Sequence, residues 1–242
     1  MIIVDKASKA INRKVIFDNI SLRCSEKETY VLVGPNGIGK TSLLKSILGL
    51  YSIDSGDITL LGQKIDRNYK TDSKVGVFFD TAKMLPHSNV KETLIFFTCL
   101  YGKSLTDIDS TISCLRLENE LDKTYISLSS GNKRKIGLLI SLINNPDLLI
   151  WDEPFATLDP EMCSELADFI NQLKKDGKTI LITTNDLYSA KDIYDKVGFF
   201  VDSNSIIERS KDELLVQYPD KNLNEIYFLV KDEFQNNKEG ML

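Results

Sequence analysis

The sequence predicts an α/β protein with a mainly parallel sheet, and three observations carry that expectation. Short β-rich segments alternate with helical ones along the 242 residues, the order that strand–helix–strand units produce. Leu148-Leu149-Ile150-Trp151 is apolar at every position, as a strand covered on both faces should be. Pro160–Lys175 reads as a helix that proline opens and Gly177 closes.

Taken in order, candidate strands lie over 2–4, 15–22, 30–33, 57–61, 75–79, 148–151, 179–184, 197–201 and 205–208. The first are short and joined by turns such as 11–14, so an antiparallel piece is expected beside the parallel core. A helical run over 42–50 follows the third strand. From Asn89 to Ile143 the character is helical: Asn89 and Glu92 form a capping-box pattern, and Leu94, Phe97, Leu100 and Tyr101 follow at helical spacing. In the 160–175 helix, Met162, Cys163, Leu166, Phe169, Ile170 and Leu173 form one stripe, which places Met162 and Cys163 in the core. From about residue 210 a short helical appendix ends in a polar tail that can fray.

Composition excludes several classes. Apolar residues make up 42% and charged residues 27%, a globular balance with enough length for a substantial core. The net charge of -5 argues against a chain held on nucleic acid or anionic lipid by bulk charge. The longest apolar run, 136–143, falls short of a membrane span, and the first residues lack the basic-then-apolar pattern of a signal peptide. Cys24, Cys99, Cys114 and Cys163 have no C-x-x-C spacing, and His87 is the one histidine, so no structural zinc site is expected. The cysteines read as reduced, mostly packing residues and His87 as a solvated loop residue.

One segment carries chemistry directly. Gly34-Pro35-Asn36-Gly37-Ile38-Gly39-Lys40-Thr41 fits G-x-x-x-x-G-K-[ST] and lies between an apolar strand and a helical run, with Ser42 next in line. Phosphates need many N–H donors at short range. Small residues let the backbone wrap closely, and a helix N-terminus adds partial positive charge. Lys40 supplies a full charge to the outer phosphates and Thr41 a hydroxyl for Mg²⁺. A chance match arises roughly once per hundred chains of this length, and the strand-before, helix-after context makes it rarer. Nucleotide binding is the reading.

A nucleotide cradle needs a partner for metal and water. The 148–151 strand ends in Asp152 and Glu153. Asp152 is placed to hold Mg²⁺ directly or through water, and Glu153 to orient or deprotonate the attacking water.

With these residues in hand the sequence resembles the ATP-binding subunits of ABC transporters. Leu128-Ser129-Ser130-Gly131-Asn132 stands where that family has its signature motif, and Phe155-Ala156-Thr157-Leu158-Asp159-Pro160 resembles its D-loop. The resemblance runs from about residue 2 to 230. Segment 90–102 and Leu223–Leu229 resemble bacterial drug, bacteriocin and polysaccharide exporters in particular. It implies a P-loop NTPase fold with a RecA-like mainly parallel core, an antiparallel β subdomain and an inserted helical subdomain. The implied organisation is 1–84 and 144–209 as ATP-binding core, 85–143 as helical subdomain with the signature, and 210–242 as C-terminal appendix. It further implies ATP and Mg²⁺ as cofactors and a head-to-tail dimer with a second, like or unlike, ATP-binding subunit. A membrane-spanning permease on a separate chain would hold the subunit at the cytoplasmic face, where ATP hydrolysis drives export. A hydrolysis-weakened heterodimer partner and a non-transport ABC ATPase are the alternatives. Ser129 and Gly131 fall at the start of the helix reaching Ile143, whose N-terminus could grip a γ-phosphate on the other subunit; Ser129 would cap that helix in either case.

Departures from the family pattern bear on rate. Ile11 stands where an aromatic residue usually stacks on adenine, a contact worth ~1–3 kcal/mol. Asp80 replaces the usual glutamine and could still offer Mg²⁺ an oxygen. Ser130 and Asn132 replace glycine and glutamine in the signature. Asn185 replaces the switch histidine after the 179–184 strand. Losing a donor aimed at transition-state charge costs ~10²–10³ in rate; asparagine keeps an N–H₂, so hydrolysis is expected, but slowed.

Overall fold

Asn12 (φ 52°) and Arg13 (φ 64°) reverse the chain between β1 (Ile2–Ile11) and β2 (Lys14–Cys24). Two left-handed residues in a two-residue loop make the turn whose twist matches the flanking strands. The computed structural model describes residues 1–70, 72–79 and 87–239, and the chain divides into two units, Met1–Thr71 with Leu181–Leu242, and Asp72–Ile180.

The first unit continues with β3 (Thr29–Val33), α1 (Lys40–Ile47), β4 (Ser55–Leu60) and β5 (Gln63–Lys64). β1 is paired antiparallel with β2 on one side and β4 on the other, and β5 extends β4, giving the order β2-β1-β4-β5. This is the antiparallel piece expected from the turns. β1 is longer than the 2–4 expected: register shifts after Val4, Ala7 and Lys9 break the two-residue alternation that would have marked it.

The second unit holds β6 (Val75–Phe79), α2 (Val90–Leu100), α3 (Asp109–Cys114), α4 (Ser130–Leu142), β7 (Leu148–Asp152) and α5 (Pro160–Lys175), with short 3-10 turns between. β6 and β7 are parallel, Val75 opposite Leu148 and Phe79 opposite Asp152. Every residue of β7 is buried. The α2 capping box is present: Glu92 N donates to Asn89 Oδ1 (2.7 Å) and Asn89 N to Glu92 Oε2 (3.1 Å). In α5 the buried stripe is Leu166, Phe169, Ile170 and Leu173. Met162 and Cys163, expected in the core, are half-buried, because the first turn of α5 lies at the rim of the stripe.

The chain crosses between units within β8 (Thr179–Thr184) and returns to the first through α6 (Leu187–Ala190), β9 (Lys196–Asp202), β10 (Ser205–Ser210), α7 (Lys211–Gln217) and α8 (Leu223–Glu239). There the order is β10-β9-β3-β8, with β3 and β9 parallel and β10 antiparallel to β9. Asn222 and Glu225 cap α8 reciprocally, and Leu223, Ile226, Tyr227 and Val230 are buried. α8 runs to Glu239, and Lys238 pairs with Asp202 (2.6 Å); the last three residues of the expected tail lie outside the described residues.

Of the four cysteines only Cys24 is a fully buried packing residue, and burial pushes its thiol up to about 12. Cys99 and Cys114 are exposed on the outer faces of α2 and α3 and Cys163 is half-buried, so fewer of the four are buried than the mostly packing role expected. His87 is exposed, as expected. Among the described residues no helix is long and apolar enough to cross a membrane.

Candidate functional site

The 34–41 loop joins the buried end of β3 to α1. Gly39 is the N-cap of α1 at φ 119° with no side-chain cap, so the first N–H groups of the helix are not taken by a capping side chain. A Cβ on Gly39 would lie 3.1 Å from Ile16 O, and one on Gly34 only 2.9 Å from Phe200 O. The loop is thus pressed between β2 and β9, and only glycine fits at both points. Lys40 is 5% exposed, and its Nζ donates to Gly34 O (2.7 Å) and Pro35 O (3.3 Å). Its ammonium lies inside the curl of the loop. Thr41, Ser42 and Ile38 are half-buried beside it, while Pro35, Asn36 and Gly37 (φ 80°) form the exposed rim. N–H donors, a helix N-terminus and an inward ammonium in one turn make an anion site.

Ile11 ends β1, half-buried and opposite Lys14. The sequence reading missed Ile16, whose Cγ2 comes within 3.2 Å of a Gly39 Cβ position and gives the loop an apolar wall. Alternation in β2, with Phe17 buried and Ile16 half-buried on the other face, was the signal.

The segment after β8 also belongs to the first unit. Asp186 N donates to Thr184 Oγ1 (2.9 Å), and Asp186 accepts from Tyr188 N (3.0 Å), Ser189 N (3.3 Å) and the Ser189 hydroxyl. Asn185 lies between these fixed points, exposed, and its Nδ2 donates to Asn36 Oδ1 (3.0 Å). β3 and β8 are neighbours, so the loops leaving them meet at this bond.

In the second unit, Asp152 closes β7 at 7% exposure. Glu153 follows, half-buried, with φ 51°. Its carbonyl accepts from the Arg134 guanidinium and from Ala156 N (3.2 Å). Arg134, 5% exposed, also lies 5.8 Å from the Phe78 ring centroid. A non-glycine residue in the left-handed region is costly, and persists where its neighbours hold it; Arg134 is such a neighbour. Sequence reasoning missed it, although a Lys-Arg-Lys run inside a helix with an apolar buried face was visible at 133–135.

Ser129 caps α4, accepting from Asn132 N (3.1 Å). Ser130 is exposed and Asn132 half-buried, while Gly131 is buried, a Cβ there lying 2.5 Å from Met162 Sδ. Lys135 Nζ pairs with Glu165 Oε2 (2.7 Å), tying α4 to α5. Asp159 caps α5, accepting from Met162 N (2.8 Å). The sequence reading placed Asp80 at the metal; Asp80 lies outside the described residues.

Residues 17–156 match the family model described as "ABC transporter". Nod factor export ATP-binding protein I of Paraburkholderia xenovorans is 32% identical over 216 residues, 87% of this chain and 71% of that protein. Lantibiotic transport ATP-binding protein SrtF of Streptococcus pyogenes is 30% identical over 212 residues, 88% of this chain and 92% of that protein. Among solved structures, an ATP-binding subunit of an ABC transporter superposes with TM-score 0.82 at 24% identity, covering 94% of this chain and 98% of that one. A dimeric ATP-binding cassette in a post-hydrolysis state with ADP and Pi gives TM-score 0.75 at 20% identity, covering 87% and 98%.

Proposed function

The chain belongs to the ABC transporter family as one of its ATP-binding, ATP-hydrolysing subunits, and from that premise we propose that it drives export through a separate membrane-spanning permease. The observation that carries this reading is the cradle itself, with Lys40 turned into the 34–41 loop at an uncapped helix start. The names of the relatives, which export Nod factors or transport lantibiotics, favour an exporter.

In this reading the N–H groups of 34–41, Lys40 and Ser42 hold the phosphates of ATP. Thr41, Asp152 and Asp80 supply oxygens for Mg²⁺, which adds charge neutralisation at the outer phosphates. Glu153 orients and deprotonates water, and Asn185 donates to developing charge. Ile11 and Ile16 offer the base an apolar face in place of a stacked ring. Ser129, Ser130, Gly131 and Asn132 engage the phosphate bound by a second subunit, like or unlike, with Asp159 beside them in a head-to-tail dimer. In this reading 1–84 and 144–209 bind ATP, 85–143 carries the signature, and 210–242 is the appendix. The subunit works on the cytoplasmic face.

Coexpression with a neighbouring reading frame of about six spans tests the reading. Copurification of that product, with ATP hydrolysis in the complex, is the expected result. Hydrolysis with no membrane subunit retained would point to a non-transport ABC ATPase.

A further inference from the structure

Asn185 holds the place at which the sequence led us to expect a longer donor, and the structure gives its amide an unforeseen partner. Its Nδ2 donates to Asn36 Oδ1 at 3.0 Å, linking two residues that are 149 positions apart. Both side chains are exposed, so burial does not force them together. Asn185 also borders a cavity of about 180 Å³, lined by Gly34 and Pro35 of the cradle loop together with Leu187, Asn224, Tyr227 and Phe228. That cavity leaves the side chain room to take another rotation and break its bond to Asn36. The backbone has no such freedom, because Thr184 and the Asp186 cap fix the loop on both sides. What remains to be set is the Asn185 side-chain rotation, and the bond to the Asn36 oxygen is a contact that helps to set it.

We propose that Asn36 is a positioning residue for hydrolysis: its side-chain oxygen holds the Asn185 amide over the rim of the 34–41 cradle. An amide group is planar, so accepting one N–H also sets the direction of the other. A short neutral donor misplaced by an ångström can lose a large part of its effect; anchoring it to the cradle restores placement without a histidine's reach. The inference rests on the ATPase reading of the site and assigns Asn36 a role beyond phosphate contact.

The test is a double-mutant cycle in the full-length chain, reading kcat, KM for Mg-ATP, Mg-ADP affinity and Tm. Asn36→Ala and Asn185→Ala should each lower kcat about tenfold with KM little changed. The double variant should be no slower than either single one, because both remove one unit. Asn36→Asp keeps the accepting oxygen, so it should recover most of kcat while raising KM through charge repulsion. It carries the test alone should Asn36→Ala fail to fold. Wild-type kcat in Asn36→Ala, fully multiplicative losses in the double variant, or no recovery in Asn36→Asp would overturn the proposal. Failure of the ATPase reading looks different: the wild-type chain itself would then neither bind nor hydrolyse Mg-ATP, and the proposal would fall with it.

Discussion

The 34–41 cradle and the 129–132 signature segment are both loops that run into a helix, yet they present different groups. In the cradle, Gly39 caps α1 without a side chain, and Lys40 is drawn inward to two carbonyls of its own loop. In the signature, Ser129 already spends its hydroxyl on Asn132 N, and the flanking cations, Arg134 and Lys135, turn back into the second unit. One segment contains everything an anion needs. The other has a capped end and no inward charge, so by itself it is a weak anion site. In the proposed reading this contrast assigns most of the affinity to the cradle of the first unit, whereas Glu153 of the second bears on turnover.

If that division is right, variants in the two regions fail differently. The largest effect is expected at Glu153. Glu153→Gln should leave Mg-ATP binding intact, reduce hydrolysis by about 10²–10⁴-fold, and accumulate an ATP-bound dimer on gel filtration. Wild-type turnover in that variant would move the base elsewhere. Lys40→Ala should do the converse and abolish the thermal stabilisation by Mg-ATP, about 2.7 kcal/mol at a hundredfold excess over Kd. A shift equal to wild type would break the division at its stronger end.

Smaller effects sharpen it. Asn185→His should raise kcat about tenfold, equivalent to about 1.4 kcal/mol, with ATP affinity unchanged; steady-state kinetics decides. Ser129→Ala should cost about 1 kcal/mol of stability through the lost cap and leave the ATP affinity of an isolated subunit as it was. Denaturant titration and nucleotide titration separate the two readouts. Loss of affinity there would mean that the signature grips phosphate within its own chain.

What the sequence disclosed was mostly local. Asn89 with Glu92, Pro160 with Gly177, and the apolar run 148–151 each announce an element through neighbours within a turn or two, and all three are present as read. The 34–41 loop was legible for the same reason: its glycines, lysine and threonine are contiguous. The missed features are non-local or irregular. The β1 extension is hidden by its bulges, and β5 by being two polar residues long. The Ile16 wall, the Arg134 contact with Glu153 and the Asn36–Asn185 bond depend on which strands and helices become neighbours. Met162 and Cys163 fit a periodic stripe, but the stripe says nothing of where a helix leaves the core.

The seating of β3 has a consequence for biosynthesis. Tyr30, Val31, Leu32 and Val33 pair with Lys196, Val197, Gly198 and Phe199, and Thr29 is clasped at both its N–H and its carbonyl by Asp195. Phe200 then backs Gly34. A chain emerging from the ribosome from its N-terminus therefore displays the 34–41 segment long before it owns the strand that shapes it. Contacts of such long range form late, after much loop-closure entropy has been lost. Nucleotide capture is accordingly a property of a chain that already includes β9, and one truncated before β9 should make no use of ATP.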